Sequence, residues 1–118
     1  MRRHISLLLI CLLLSACSTN QKYHTIDTNK ATELINNGAI VIDVRTVDEY
    51  NREHIENAIN IPLDQIATTN FDKDLTIIVY CQTGIRSEEA AKILAENGYT
   101  SLYNLDGGLL NWGGELVQ

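Results

Sequence analysis

The chain has 118 residues, of which 45% are hydrophobic and 20% charged, and its formal net charge is −6. An acidic chain of this kind argues against nucleic acid and against anionic lipid as binding partners. Its length suits one domain of ordinary size and leaves no room for a second.

The first 16 residues are predicted to be a signal peptide. Arg2 and Arg3 precede an apolar run from Ile5 to Leu14, which is shorter than the roughly 20 residues of a membrane-spanning helix. The segment "LSAC" that ends at Cys17 resembles the lipobox of bacterial lipoproteins, in which the cysteine receives lipid before cleavage. An ordinary secretory signal and an uncleaved anchor are the alternatives. We expect an exported lipoprotein of the cell envelope, on the periplasmic face of the outer membrane in a Gram-negative cell.

Cleavage before Cys17 would divide the chain into a lipid-attached tether, residues 17–23, and a domain over residues 24–118. Without Arg2 and Arg3 the nine basic side chains become seven against fifteen acidic ones, which gives a formal net charge of −8. Cys11 would leave with the signal peptide, and Cys17 would carry lipid. Cys81 is then the one free thiol, in a compartment where unpaired thiols are exposed to oxidation.

The first half of the domain alternates strands and helices. An edge strand is predicted at "YHTI", followed by a helix that Asp27 or Thr28 caps and Gly38 ends. The apolar run Ala39–Val44 indicates a strand buried on both faces, and Thr46 with Glu49 forms a capping box for the next helix.

The second half continues this alternation. It contains a short extended segment up to Pro62, one helical turn at "LDQI", a buried strand Leu75–Tyr80, a helix starting at Ser87 and ending at Gly98, a third core strand "SLYNL", and a short closing helix within "GGLLNWGGE". Such a pattern predicts an α/β fold with a central, mainly parallel sheet between two helical layers.

Cys81 is predicted to lie at the carboxyl end of a core strand, the edge at which such folds bind ligands. A tight loop and then a helix follow it, and the first amides of a helix have no internal acceptors and favour anions. If the loop curls around the sulfur, these amides should lower the pKa of the thiol. The alternative is that Cys81 is a small buried hydrophobe. The predicted binding residues after it are Gln82, Thr83, Gly84, Ile85, Arg86 and Ser87.

The loop "CQTGIRS" resembles the active-site loop of rhodanese (thiosulfate sulfurtransferase) domains. "VIDVRTVDEYNREHIENAINIP" and "LDGGLLNW" are similar to the upstream and closing motifs of that family, in the family order. Glu53 and Asn57 depart from the pattern, because glycine is common there, and this raises a question about local turn geometry.

The resemblance implies a rhodanese-like three-layer fold and a two-step reaction. The Cys81 thiolate would take the outer sulfur of thiosulfate, sulfite would leave, and cyanide or a small thiol would remove the sulfur from the persulfide. Arg86 would either attract the dianion or fold back onto carbonyls or an acidic neighbour. The expected partners are then a small-molecule sulfur donor and a cyanide or thiol acceptor. We expect a monomer that does not bind nucleic acid. We expect no cofactor and no metal, because His24, His54 and Cys81 are scattered.

Three side chains near the loop receive other predictions. Arg45 is predicted to pair with Glu49 or Asp48, His54 to order a turn by hydrogen bonding, and Trp112 to pack against the core or its rim.

Three other functions remain open at this point. Cysteine phosphatases and arsenate reductases also use a cysteine, an amide cradle and an arginine, but place five residues between cysteine and arginine, where this chain has four. A non-catalytic rhodanese-like binding domain is the second. The third is persulfide delivery to a protein or redox handling of sulfur, with thiosulfate only a surrogate donor.

Overall fold

A computed structural model describes residues 21–118. The predicted signal peptide, 1–16, and Cys17 lie outside these residues. The strands are β1 (His24–Ile26), β2 (Ile40–Asp43), β3 (His54–Ile55), β4 (Ile59–Asn60), β5 (Thr76–Tyr80), β6 (Ser101–Leu105) and β7 (Leu116–Val117). The helices are α1 (Thr28–Asn36), α2 (Val47–Arg52) and α3 (Ile85–Glu96), with two 3₁₀ helices at Leu63–Thr68 and Gly108–Asn111.

Five strands form a parallel sheet in the order β1-β6-β5-β2-β4. The short strands β3 and β7 pair antiparallel beside it. β5 lies at the centre of the sheet, and its five residues alternate between the two faces, so that both helical layers can pack against it. The predicted three-layer α/β fold is confirmed.

The sheet separates two hydrophobic cores. Ile77 and Val79 of β5 pack in one core with Ala90 and Leu94 of α3. Ile78 and Tyr80 pack in the other, which contains Ala31 of α1 and Leu109 of the second 3₁₀ helix. Because β5 is anchored on both faces, the residue that follows it has a well-defined position.

Local signals in the sequence placed several helix ends correctly. The Asp27 side chain accepts a hydrogen bond of 2.9 Å from the Lys30 amide at the start of α1. Thr46 and Glu49 form the predicted capping box of α2. Asn57, one of the two departures from the family pattern, has φ 65° and takes the left-handed turn conformation that asparagine tolerates.

Two predicted boundaries need correction. α3 begins at Ile85 and not at Ser87, because Gly84 with φ 97° turns the chain directly into the helix. Ser87 is therefore inside the first turn and buried. Tyr23, assigned to the tether, is also buried, and its hydroxyl donates a hydrogen bond of 2.8 Å to Glu88 of α3. The packed domain thus starts one residue earlier than predicted.

Between residues 21 and 118, the helices are too short or too polar to cross a membrane.

Candidate active site

Cys81 directly follows β5 at the carboxyl edge of the parallel sheet. The residue is 1% exposed and packs in the core beneath α3, which agrees with a buried thiol. It is the one free cysteine of the described residues. Burial alone does not separate a nucleophile from a structural cysteine, so the groups around the sulfur decide what it can do.

The loop between β5 and α3 directs hydrogen-bonding groups at this sulfur. The Gly84 amide donates to Sγ over 3.0 Å, and the Ser87 hydroxyl oxygen lies 3.5 Å from Sγ. Burial raises the pKa of Cys81, but hydrogen-bonding groups of Ser87, Thr83 and Gly84 together outweigh burial and lower the pKa below that of an ordinary thiol. The direction agrees with the sequence prediction, and it favours a thiolate at Cys81.

The second 3₁₀ helix fixes the backbone of the loop from the other side. The Leu109 amide donates to the Cys81 carbonyl over 3.0 Å, and the Leu110 amide donates to the Gln82 carbonyl over 3.2 Å. Gly108 lies so close that a Cβ on it would approach the Cys81 oxygen to 2.3 Å. With the carbonyls held outward in this way, the amides of the loop are free to face the sulfur.

Asn104 of β6 supports the loop from the neighbouring strand. It is 4% exposed and pairs in register with Val79, two residues before Cys81. Its Nδ2 donates to the Gly84 carbonyl over 3.3 Å, and its Oδ1 accepts a hydrogen bond of 2.6 Å from the Ser87 hydroxyl. Asn104 therefore contacts the two residues whose groups lie closest to the sulfur.

Arg86 pairs with Glu49 of α2. The two guanidinium nitrogens donate to the two carboxylate oxygens over 2.7 and 2.9 Å, a bidentate arrangement. The hydrogen bonds from Arg86 lower the pKa of Glu49 to about 2, against the opposing effect of burial. Of the two roles predicted for Arg86, this geometry matches the one in which it folds back onto an acidic neighbour.

Arg45 does not pair with Glu49 or Asp48, so that prediction was wrong. Its guanidinium instead contacts Asp43 over 2.7 Å and the Glu53 carbonyl over 2.6 Å. Both ends of the Arg45–Asp43 pair are buried. The error arose because Asp43 and Arg45, two residues apart at the end of β2, turn toward each other as the strand ends.

The remaining predicted residues of the loop lie at its outer side. Gln82 is half-buried, and its Oε1 accepts a long hydrogen bond of 3.5 Å from Arg45. Thr83 and Ile85 are exposed, and the exposed fraction of Ile85 is 75%. Gln82 also borders a cleft of about 310 Å³ that Arg45, Glu49, Arg52 and Glu53 line. Of the six residues predicted after Cys81, Gly84 and Ser87 have groups 3.0 and 3.5 Å from the sulfur, while the Arg86 side chain pairs with Glu49.

The other predictions concern residues around the loop. His54 Nδ1 lies 2.8 Å from the Tyr50 carbonyl, as expected for a residue that orders the turn. Trp112 is half-buried against the second core. No group of three metal-ligating side chains comes together within the part of the chain that the structure describes.

Sequence reasoning missed Asn104, Gly108 and the Glu49 partner of Arg86. Asn104 carried no separate signal, because it lies within an apolar strand. Gly108 stood in the closing motif, but nothing in the sequence brought that motif against the loop. These contacts depend on residues far apart in the chain.

Comparisons with known proteins show which family the chain is similar to. The family model of the rhodanese-like domain matches residues 27–115. The thiosulfate sulfurtransferase PspE of Escherichia coli (strain K12) is 47% identical over 70 residues, which is 56% of this chain and 67% of that protein. The thiosulfate sulfurtransferase GlpE of Coxiella burnetii (strain RSA 331 / Henzerling II) is 38% identical over 93 residues, 76% of this chain and 87% of that protein.

Solved structures are similar as well. A rhodanese with anions from E. coli superposes with a TM-score of 0.63 at 40% identity, covering 69% of this chain and 99% of that one. A rhodanese-related protein from Thermoplasma volcanium gives a TM-score of 0.72 at 29% identity over 80% of this chain and 98% of that one. The family match covers well over half of the sequence, and the chain therefore belongs to the rhodanese-like domain family.

Proposed function

We propose that the protein is a sulfurtransferase that moves sulfane sulfur from thiosulfate, or a related donor, through a persulfide on Cys81. The observation that carries this proposal is the set of hydrogen-bonding groups around the sulfur, in particular the Gly84 amide at 3.0 Å. These groups favour the thiolate, which is the nucleophilic form, and they can hold the anionic outer sulfur of a persulfide in the same cradle.

The reaction divides into two displacements on sulfur. In the first, Cys81 Sγ forms a bond to the outer sulfur of thiosulfate, the sulfur–sulfur bond of thiosulfate breaks, and sulfite leaves with the electron pair. In the second, cyanide or a thiolate forms a bond to the outer sulfur of the persulfide, and the Cys81 thiolate leaves. Neither step needs a general base once the thiolate is formed, and two half-reactions of this type give ping-pong kinetics.

The size of the loop supports transfer of sulfur over transfer of phosphate. Four residues separate Cys81 from Arg86. Of these, Gly84 has a positive φ and turns the chain into α3 immediately, so the cradle is short. A shorter cradle suits one sulfur atom better than a tetrahedral phosphoryl group. Hydrolysis of an aryl phosphate at a rate above that of sulfur transfer would reverse this choice.

The named relatives support thiosulfate as the donor class. Two proteins similar to this chain are thiosulfate sulfurtransferases, at 47% and 38% identity. We propose thiosulfate as the sulfur donor of this chain and a thiophilic molecule as the acceptor. We propose that Gln82, Thr83 and Ile85, on the outer side of the loop, contact the donor and the acceptor.

We also propose that lipid on Cys17 anchors the protein to the cell envelope after removal of residues 1–16. The domain supports this in one respect. Its first strand starts at His24 on the amino edge of the parallel sheet, while Cys81 lies at the carboxyl edge, so a tether would leave the active site open. Cys17→Ala should prevent processing and lipid attachment. Membrane association that survives this substitution would contradict the anchor.

Thiocyanate formation from thiosulfate and cyanide tests the activity. The wild-type chain should make thiocyanate, Cys81→Ser should make none above background, and the matched Cys17→Ala variant should retain turnover. A Cys81→Ser protein with undiminished turnover would overturn the mechanism. A panel of thiol acceptors offered to the persulfide form would then identify the preferred acceptor.

A further inference from the structure

The amide of Asn104 has a fixed orientation beside the loop. Its Nδ2 faces the Gly84 carbonyl at 3.3 Å, and its Oδ1 faces the Ser87 hydroxyl oxygen at 2.6 Å. The opposite orientation would place two acceptors, Oδ1 and the Gly84 oxygen, against each other. Because a carbonyl can only accept, the Gly84 oxygen holds the amide nitrogen on its own side and the amide oxygen on the side of Ser87.

The Ser87 hydroxyl has one proton and two neighbours that could accept it. One is Asn104 Oδ1 at 2.6 Å, and the other is Cys81 Sγ at 3.5 Å. Asn104 Oδ1 is both the closer and the better acceptor, so the Ser87 hydroxyl donates its hydrogen bond to Asn104. A lone pair of the hydroxyl oxygen then faces the sulfur. Ser87 can donate to a thiolate only by rotating its hydroxyl and giving up the bond to Asn104.

We propose that Asn104 is a positioning residue that holds the Ser87 hydroxyl proton away from Cys81, so that the sulfur anion is stabilised by the loop amides and not by this hydroxyl. The inference rests on the proposed role of Cys81 as the sulfur nucleophile. Its test, however, reads the ionisation of the thiol, and so it can fail or succeed independently of sulfur transfer.

The arrangement would keep the thiolate reactive. A thiolate that receives more hydrogen bonds has a lower pKa but is also a weaker nucleophile. By withholding one donor, Asn104 leaves Cys81 ionised by backbone amides alone and preserves its reactivity toward the donor.

The charged groups near the loop do not account for such an effect. Arg86 is paired with Glu49 on α2, and Arg45 is paired with Asp43 on β2. Neither pair contacts Asn104 or the Ser87 hydroxyl. The variants used below leave the residues of both pairs unchanged, so that a change in the ionisation of Cys81 is expected to report on Asn104 and Ser87.

The test is a pH titration of the Cys81 thiolate by its ultraviolet absorbance, in the full chain, with Cys81→Ser as the blank for the other thiols. We expect Asn104→Ala to lower the pKa of Cys81, because the freed hydroxyl can then donate to the thiolate. We expect Ser87→Ala alone to leave the pKa nearly unchanged. In the Asn104→Ala background, Ser87→Ala should raise it again.

Alkylation by iodoacetamide adds a second readout. If one hydrogen bond to the anion lowers the pKa by about one unit, Asn104→Ala should alkylate about threefold faster well below the pKa and about threefold slower on the high-pH plateau. If Asn104 only braced the loop, its removal would raise the pKa of Cys81, because the loop amides would move away from the sulfur.

Two results would overturn the proposal. One is an Asn104→Ala protein whose Cys81 pKa rises. The other is a Ser87→Ala protein whose pKa rises as much with Asn104 present as without it. Should Asn104→Ala fail to fold, Ser87→Ala decides alone: a nearly unchanged pKa supports the proposal, and a rise of about one unit contradicts it.

Discussion

Arg86 and Glu49 lie 37 residues apart in the chain and form a bidentate ion pair, with nitrogen–oxygen distances of 2.7 and 2.9 Å. The pair joins the start of α3 to α2, and so links the loop that holds Cys81 to the element that follows β2. Since both carboxylate oxygens accept from the guanidinium, this geometry favours Arg86 as a brace of the loop over Arg86 as a free cation for the donor.

A brace and a direct ligand predict different kinetics. If Arg86 acts through Glu49, then Arg86→Ala and Glu49→Ala should reduce thiosulfate turnover by similar, severalfold amounts, and the double variant should be little worse than either. Steady-state kcat/KM for thiosulfate measures this. A loss for Arg86→Ala that far exceeds the loss for Glu49→Ala would instead show direct contact with the dianion.

The same pair predicts a pH dependence of stability. The pKa of Glu49 falls from 4.5 to about 2 in the folded protein, mainly through the hydrogen bonds from Arg86. A carboxyl whose pKa is lowered by folding stabilises the protein above its unfolded pKa, and this contribution is lost as the pH falls from about 4.5 to about 2.

Glu49→Gln should therefore flatten the loss of unfolding free energy over this range, as measured by urea denaturation at a series of pH values. Glu56→Gln is the matched control, because Glu56 is exposed and forms no salt bridge within residues 21–118. Equal pH profiles for Glu49→Gln and the wild-type chain would contradict the assigned shift.

Gly108 should be intolerant of a side chain because of the loop against it. A Cβ there would meet the Cys81 oxygen at 2.3 Å and the Gln82 carbonyl carbon at 2.6 Å. We expect Gly108→Ala to displace the loop, raise the pKa of Cys81 and reduce thiocyanate formation by at least an order of magnitude. Turnover and the thiolate titration measure both effects.

Gly98→Ala is the control for this variant. Gly98 also has a positive φ, 94°, but a Cβ on it would meet nothing within 4 Å. Alanine in this conformation costs about 1–2 kcal/mol, so Gly98→Ala should lose stability but keep its turnover per folded molecule. Equal losses of turnover in the two variants would show that backbone strain, and not contact with the loop, is responsible.

The buried Arg45–Asp43 pair should matter more to stability than an exposed one. Arg45 is 3% exposed and Asp43 is fully buried. Arg45→Met would leave a buried carboxylate without its partner, at a cost of about 3–5 kcal/mol of unfolding free energy. Urea denaturation measures the cost, and Lys30→Met, which breaks the exposed Lys30–Glu33 pair, should cost at most about 1 kcal/mol. Similar costs for the two would contradict this assignment.

Local sequence signals predicted the frame of the fold but not the contacts that complete the site. The apolar run up to Tyr80 and the capping box at Thr46 need only neighbouring residues, and both were predicted correctly. The position of Cys81 followed from the rule for parallel sheets.

Long-range contacts were not predictable in this way. Ser87 was predicted to start a helix, but its side chain is buried and its hydroxyl donates a hydrogen bond to Asn104, 17 residues later. Arg45 pairs with Asp43 and not with Glu49, because the end of β2 brings Arg45 and Asp43 together. Glu49 lies on α2 and pairs with Arg86. The acidic partner of an arginine depends on tertiary packing, which cannot be read from a single sequence.

The most direct test of the account is the intact mass of the protein after incubation with thiosulfate alone. Sulfur transfer through Cys81 predicts that the wild-type chain gains the mass of one sulfur atom, that Cys81→Ser gains none, and that cyanide removes the added sulfur. A wild-type protein that forms thiocyanate without ever gaining this mass, or a Cys81→Ser protein that gains it, would contradict a persulfide on Cys81.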